Sequence, residues 1–232
     1  MRGLVVSPQS FSRQMGLLKL LGYKGLSMND LEPYLKGEKQ GKVFGITFDD
    51  GYENNLRCAL PVLKHFGFTS TCYVVASLVG KENSWDAERG VPQVPLMSAQ
   101  QLQDWVDAGQ EVGSHTLTHP SLPSLDSSRQ AEEISISRLR LDSIVKQAKG
   151  VRHFCYPYGG FNKISVECVK DAGYVTATTT VRGRVSMADD LHFLLLPRVL
   201  ISRSTSLFHL LLKCFTRYED RRGLGAKSHS YA

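Results

Sequence analysis

The segment KVFGITFDDG, residues 42–51, places two adjacent carboxylates, Asp49 and Asp50, directly after a run of mostly apolar residues. The run predicts a strand covered on both faces, because it is apolar nearly throughout instead of alternating with polar residues. Adjacent carboxylates repel one another, and each loses hydration close to a core. Taken alone, DDG is also typical of a turn in which an aspartate caps the next helix and Gly51 supplies a positive φ.

Predicted strands and helices alternate along the rest of the chain, which is the pattern of a parallel sheet with helices outside it. A helix begins at Ser7-Pro8, and a capping box from Ser98 to Gln101 begins another. Six strands are predicted, within residues 42–49, 69–77, 110–116, 153–158, 174–180 and 192–201. The sheet is either open or closed into a barrel, and in both cases active sites gather at the carboxyl ends of the strands.

Two further polar segments, SHTLTHP (residues 114–120) and YPYGG (residues 156–160), fall at such strand ends. Two histidines and one carboxylate are a common ligand set for a hydrolytic metal site with an open position for water. His115 and His119 can face one point if the backbone turns between them. Either aspartate could be the third ligand, and the other would then accept a proton from water. The alternative is that both histidines are partly exposed loop residues.

TFDDG (Thr47–Gly51), SHTLTHP and YPYGG resemble, in order and separation, the first three motifs of the polysaccharide deacetylases, the carbohydrate esterases with a NodB-type homology domain. The resemblance spans residues 7–202. It implies a distorted (β/α) barrel of about six to seven parallel strands. It also implies a divalent metal, usually Zn²⁺, and a hydrolase of linear amide C–N bonds. The expected substrate is an N-acetylhexosamine-containing polysaccharide or oligosaccharide that loses N-acetyl groups.

The resemblance also implies a role for each matching residue. Asp49 resembles the catalytic base, and Thr116 the residue whose hydroxyl steadies the histidine loop. The metal ligands of the family correspond to Asp50, His115 and His119. The wall of the substrate groove corresponds to Pro157, Tyr158 and Gly159, with the backbone N–H of Tyr158 directed at the oxyanion.

Two departures from the family pattern affect the site. Cys155 stands where the family often has an arginine that orients the catalytic aspartate. Arg198, near the carboxyl end of the last predicted strand, is therefore predicted to contact Asp49 through two parallel hydrogen bonds. The alternative is a surface arginine that balances Asp189 or Asp190. The histidine acid of the family's last motif has no counterpart in LLLPRVLI, so no histidine acid is assigned.

A third departure concerns the edge of the sheet. The chain reaches its first helix almost at once, whereas family members usually begin with a strand. The barrel is therefore predicted to lack its first strand, with an exposed edge that favours low solubility or dimerisation.

The chain has 232 residues, of which 42% are hydrophobic and 22% charged, and its formal net charge is +6. This composition suits one globular domain, predicted over residues 1–216, followed by a basic, flexible tail over 217–232. No apolar run approaches the roughly 20 residues of a transmembrane helix, and no signal-peptide core is present. A cytoplasmic location is expected, or an exported one if the true N-terminus lies upstream. The five scattered cysteines indicate no disulfide framework.

Two alternative functions can be compared with hydrolysis of the glycan. A degenerate, non-catalytic member of the same fold would bind glycan without turnover; the missing histidine acid favours it, and Asp49 argues against it. Nucleic-acid binding is not expected, because no recognised motif accompanies the basic tail. The loop residue Trp85 could stack on sugar or serve packing, and chitin, peptidoglycan and exopolysaccharide all fit as substrates.

Overall fold

The computed structural model describes residues 5–185 and 192–224 of the chain. The helices are α1 (Pro8–Leu20), α2 (Met28–Leu35), α3 (Leu60–Phe66), α4 (Ala99–Asp107), α5 (Ser127–Ile144), α6 (Lys163–Asp171), α7 (Leu207–Phe215) and α8 (Tyr218–Leu224). The strands are β1 (Lys24–Leu26), β2 (Val43–Gly45), β3 (Thr47–Phe48), β4 (Thr71–Val74), β5 (Glu111–Ser114), β6 (His153–Cys155), β7 (Thr176–Arg182) and β8 (Leu196–Arg198).

Six of these strands form one parallel sheet in the order β3-β4-β5-β6-β7-β8, which follows the order of the chain. Helices connect most of its successive strands, because parallel pairing requires a crossover connection between one strand and the next. The curled parallel sheet confirms the predicted distorted (β/α) barrel. All of its strands present their carboxyl ends to the same edge, and that edge carries the site.

The predicted strand over residues 42–49 is divided at Ile46 into β2 and β3, which belong to different sheets. The amide of Ile46 donates to the carbonyl of Leu26 at 2.9 Å, and its carbonyl accepts from the amide of Thr71 at 2.9 Å. At Ile46 the chain thus changes from hydrogen bonding with β1 to hydrogen bonding with β4. Strand β1, which the sequence pattern did not predict, pairs with β2 in parallel, and the two form a separate two-stranded sheet.

The last predicted strand, residues 192–201, is much shorter in the structure, where β8 covers Leu196–Arg198 alone. The prediction was wrong at its start because the amide of Leu195 donates to the carbonyl of His192 at 2.8 Å and closes a turn. His192 is exposed and precedes the strand.

Helix α8 lies within the predicted tail. Lys213 of α7 and Glu219 of α8 form an ion pair of 2.7 Å, and Arg184 and Asp220 form another of 2.7 Å. Residues 218–224 of the predicted tail are thus helical in the structure, and residues 225–232 lie outside its described part. No described helix combines the length and the apolar character that a membrane crossing needs.

Helix α2 covers the amino-terminal end of the sheet. The buried carboxylate of Glu111, the first residue of β5, accepts from the amide of Asn29 at 3.0 Å and from the hydroxyl of Thr71 at 2.6 Å. The Nε2 atom of His153, the first residue of β6, lies 3.3 Å from the same carboxylate. This polar cluster fixes the N-terminus of α2 to the sheet, at the end remote from the candidate site.

Candidate active site

The side chains singled out by the sequence meet at the carboxyl edge of the sheet. Asp49 and Asp50 directly follow β3, and His115 directly follows β5. Tyr158 lies in the turn after β6, and Arg198 is the last residue of β8. Strand geometry thus brings together residues that are up to 149 positions apart in the chain.

The three predicted metal ligands form one compact group. The Oδ1 atom of Asp50 lies 3.5 Å from Nε2 of His115 and 3.5 Å from Nε2 of His119. One ligand atom from each residue lies within 4.8 Å of the other two. Both histidines are buried, and Asp50 is mostly buried.

Hydrogen bonding prepares His115 for coordination. Its Nδ1 lies 2.7 Å from the backbone carbonyl oxygen of Cys155, which can only accept, so the Nδ1 of a neutral ring carries the proton. The lone pair of its Nε2 then points at Asp50. Two imidazole nitrogens and one carboxylate oxygen are the donor set of many hydrolytic zinc sites. The residues present therefore fit a bound Zn²⁺.

Backbone strain is concentrated at the same place. Among the described residues, the non-glycine residues with positive φ are Asp50 (75°), Thr116 (67°), His119 (68°) and Tyr158 (56°). Each such residue costs about 1–3 kcal/mol, and such conformations persist where the surroundings over-determine them. All four belong to the candidate site, so the fold stabilises a local geometry that the chain would otherwise avoid.

The histidine loop is fixed by two side chains. The hydroxyl of Thr116 donates to the carbonyl of His115 at 2.5 Å and accepts from the amide of His119 at 3.0 Å, and both bonds lie within the loop that this hydroxyl was predicted to steady. Glu133 of α5 accepts from the amides of Leu117 and Thr118 at 2.9 and 2.8 Å. Glu133 was not found from the sequence, because an acidic residue within a helix of charged residues gives no signal of its own.

Arg198 holds Asp49 as predicted. Its two terminal nitrogens donate to the two carboxylate oxygens of Asp49 at 2.7 and 2.9 Å, a bidentate contact. Burial alone would raise the pKa of Asp49, but the charge and hydrogen bonds of Arg198 outweigh it and lower that pKa. The thiol of Cys155 lies beside the pair, 3.7 Å from Asp49 and 3.3 Å from Arg198. Asp189 and Asp190, the alternative partners, lie outside the described residues.

Comparison with known proteins identifies the family. Residues 36–177 match the family model described as "Polysaccharide deacetylase", which is more than half of the chain. The chain belongs to the polysaccharide deacetylase family.

Individual relatives agree with this assignment over most of the chain. The YxkH protein of Bacillus subtilis (strain 168) is 27% identical over 207 residues, covering 88% of this chain and 69% of that protein. The poly-beta-1,6-N-acetyl-D-glucosamine N-deacetylase of Staphylococcus epidermidis is 25% identical, covering 94% and 74%. Among solved structures, the deacetylase PplD of Streptococcus pyogenes, in complex with acetate, matches with a TM-score of 0.78 and 26% identity, covering 90% of this chain and 88% of that chain.

In this polysaccharide deacetylase, aromatic rings enclose His119. Trp85 stacks on its imidazole, with ring centroids 4.6 Å apart and planes at 29°, and Tyr158 approaches it edge-on at 4.6 Å. The Nδ1 atom of His119 is buried and has no hydrogen-bond partner among the described residues, in contrast to His115. The structure thus places Trp85, whose role the sequence left open, against a candidate metal ligand.

The residues predicted to form the groove wall lie next to His119. The side chain of Tyr158 is 44% exposed, while Pro157 beneath it is buried. Gly159 has a φ of 71°, and a Cβ atom there would collide with the side chain of Thr180 on β7. Glycine is therefore required at this position on both grounds. The three residues predicted for the groove wall form one turn beside His119.

The described histidines offer no obvious acid. His192 and His209 are exposed, and Nδ1 of His209 lies 3.0 Å from the hydroxyl of Ser206, its helix cap. Among the described residues, no histidine therefore replaces the histidine acid that the family's last motif usually supplies.

Proposed function

We propose that the chain is a metal-dependent hydrolase that removes N-acetyl groups from an N-acetylhexosamine-containing polysaccharide or oligosaccharide. The observation that carries this proposal is the adjacency of two differently equipped carboxylates. Asp50 faces two histidines, and Asp49 faces an arginine that favours its ionised form. This division of roles explains why two like charges stand side by side after β3.

Asp50, His115 and His119 would hold the metal, which we assign as Zn²⁺ from its donor set. When bound, such a metal supplies Lewis acidity, which polarises the acetamide carbonyl and acidifies water. Asp49, ionised at neutral pH and oriented by Arg198, accepts the proton from the attacking water. The backbone N–H of Tyr158 is assigned to the oxyanion that develops.

Protonation of the leaving amine completes the reaction. Asp49 carries the proton taken from water, and we assign its delivery to the amine nitrogen to the same carboxyl group. One water and one acetamide then give one acetic acid and one amine, which at neutral pH are present as acetate and the ammonium ion. A single residue thus serves as base and acid, which accommodates the lack of a histidine acid in the family's last motif.

The substrate class is supported by the relative from Staphylococcus epidermidis, whose name specifies a polymer of N-acetyl-D-glucosamine. Exposed Tyr158 beside the proposed metal ligands provides a surface on which a sugar ring can pack.

Asp49→Asn tests the proposal, because the amide has the same shape but cannot accept a proton. We expect acetate release from a panel of acetylated glycans to fall about 10²–10⁴-fold. Zinc content, measured by atomic absorption, should not change. Asp107→Asn, which alters an exposed aspartate of α4, is the matched control. Near-full turnover in Asp49→Asn would show that another group is the base.

The same assay distinguishes the alternative, a non-catalytic glycan-binding member of the fold. The lack of a described histidine acid favours this alternative. It predicts that the wild-type protein binds metal and glycan but releases no acetate from any member of the panel.

A further inference from the structure

A basic cleft opens beside the candidate active site. Its volume is ≈ 250 Å³, slightly below the roughly 300 Å³ at which pockets for whole small-molecule ligands begin and large enough for one substituent. Three cations and four hydroxyl-bearing residues contribute to its wall: Arg182, Lys213, Arg222, Ser202, Ser204, Thr205 and Tyr218. All of its lining residues are described, and none of them is an aspartate or a glutamate. We call this feature the Arg182 cleft.

The positive charge of the Arg182 cleft is only partly balanced. Glu219, fully buried behind the wall, lies 2.7 Å from Nζ of Lys213 and 3.9 Å from Nε of Arg182. A terminal nitrogen of Arg222 donates to the hydroxyl of Tyr218, which carries no charge. Among residues 5–185 and 192–224, one carboxylate therefore stands against three cations.

The surrounding surface increases the imbalance. Arg222 and Tyr218 also line a wider depression that includes Arg217 and Arg221, and no described acidic residue contributes to that lining. The nearby carboxylate of Asp220 is engaged by Arg184 at 2.7 Å. The described residues at the end of β7 and on helix α8 therefore present excess positive charge to an approaching anion.

The Arg182 cleft begins at the residues that follow the site. Arg182 lies two positions beyond Thr180, whose hydroxyl contacts the carbonyl of Tyr158 in the groove wall at 3.4 Å. Leu200, another lining residue of the cleft, lies two positions beyond Arg198, which holds Asp49. Two residues of extended chain span about 7 Å. A glycan bound at Tyr158 therefore has neighbouring sugar units within reach of the cleft.

We propose that the Arg182 cleft binds an anionic substituent, a phosphate or a carboxylate, on the glycan whose N-acetyl group is presented to Asp49 and Asp50. Guanidinium groups bind both oxyanions through paired hydrogen bonds, and the serine and threonine hydroxyls can donate to the remaining oxygens. The cleft is a specificity determinant that selects a charged glycan over a neutral one. This proposal rests on the proposed function for the identity of the reacting group.

Binding is measured separately from turnover. An N-acetylglucosamine pentamer, its 6-O-phosphorylated form and a pentamer carrying carboxylates are titrated into the metal-loaded protein by calorimetry at 0.15 M salt. We expect at least one charged pentamer to bind about tenfold or more tightly than the neutral one. The preference should disappear at 1 M salt, where the Debye length is only about 3 Å and the charges are screened from one another. Equal affinity for all three pentamers overturns the proposal.

Variants locate the effect. The double variant Arg182→Gln/Arg222→Gln should lose the preference for the charged pentamer and retain its affinity for the neutral one. Arg221→Gln/Arg222→Gln changes exposed side chains alone and should also reduce the preference. This second variant keeps the proposal testable if the first variant does not fold. Lys64→Gln/Lys163→Gln removes the same charge from exposed helix surfaces elsewhere and should change nothing. An equal loss in this control would assign the preference to net charge and overturn the proposal.

Two other outcomes are distinguishable. If vesicles of anionic phospholipid bind with the same variant dependence while no charged pentamer does, the cleft serves a membrane surface and the proposal is wrong. If charged pentamers bind but no pentamer releases acetate, the proposed function fails and the Arg182 cleft stands as a binding site.

Discussion

Arg198 reaches Asp49 from the far end of the sheet, since β8 and β3 are its two terminal strands. Nε of the same guanidinium donates to the carbonyl of Thr179 at 2.9 Å, which fixes its plane. Arg198→Lys keeps the charge but loses the paired geometry. We expect turnover to fall about tenfold or more, since a hydrogen bond to a charged group is worth about 1.5–3 kcal/mol. Zinc content should stay constant.

The control for this prediction is Arg203→Lys, at an exposed arginine five residues further along the chain. A second variant tests the charge itself. Because Arg198 lowers the pKa of Asp49, Arg198→Gln should raise that pKa and move the acidic limb of the pH–rate profile to higher pH. Full activity in Arg198→Lys would show that orientation of Asp49 does not depend on the bidentate contact.

Trp85 packs against the imidazole of His119, whose Nδ1 has no hydrogen-bond partner among the described residues. Partners outside the ligand set usually orient a metal-binding histidine, and their loss costs about 10–100-fold in affinity. His119 has ring stacking in place of such a bond. Trp85→Ala should therefore weaken zinc binding about tenfold, and Trp85→Phe should restore most of it.

Fluorescence gives a readout that does not depend on turnover. Trp85 and Trp105 are the two tryptophans of the chain, and Trp105 lies fully buried in the core. In a Trp105→Phe background, Co²⁺ should quench the emission of Trp85 at the concentration at which it binds the site. Unchanged emission on Co²⁺ binding would show that Trp85 does not lie next to the metal site.

The residues that sequence reasoning found are those with a distinctive local pattern. Asp49, Asp50, His115 and His119 stand in short motifs at strand ends, and Arg198 was expected because Cys155 stands where the family often has the orienting arginine. Trp85 and Glu133 were not assigned, because their contacts depend on how a loop and a helix pack against the histidine loop. No local pattern encodes such packing.

At the scale of elements, helix starts were predicted more accurately than strands. The capping box at Ser98 and Gln101 is present as expected, because its hydrogen bonds are local. The residues KGL of β1 are too few to show a period, and their pairing with β2 is established by the crossover through α2. The apolar run before β8 concealed a turn, since a run without polar residues contains no boundary signal.

The polar cluster beneath α2 gives the fold a pH dependence. Burial raises the pKa of Glu111 to about 7 and lowers that of His153 to about 3. The stabilising effect of protonated Glu111 is complete below about 4.5 and is lost as pH rises through about 7. The stabilising effect of neutral His153 is complete above about pH 6.5 and is lost as the pH falls toward about 3.

Glu111→Gln isolates the first contribution, because the amide stays neutral. Relative to the wild type, the free energy of unfolding of this variant should increase by up to about 3 kcal/mol between pH 4.5 and 7.5. Urea titrations at several pH values measure this difference. Gln103→Glu, at a partly exposed position on α4, is a control for a charge change outside the cluster. A constant difference across this range would show that Glu111 ionises normally in the folded protein.

At the scale of the whole molecule, the proposed metal ligands connect separate parts of the sheet. Asp50 follows β3, a terminal strand, whereas His115 and His119 follow β5. Strand β4 stands between them. A metal at this point therefore joins segments that must all be in place for it to bind. Because the unfolded chain lacks this arrangement, binding stabilises the folded protein as a whole.

Zinc should accordingly raise the melting temperature of the chain. At a free concentration about 100-fold above the dissociation constant, the gain is about 2.7 kcal/mol, or roughly 5–10 °C for a domain of this size. His115→Ala should abolish the gain and most of the bound metal, because it removes one of the three ligands. His65→Ala, at an exposed histidine of α3, should preserve both. If His115→Ala gains as much stability from zinc as the wild type does, the metal binds elsewhere and the pairing of Asp50 with His115 and His119 has another purpose.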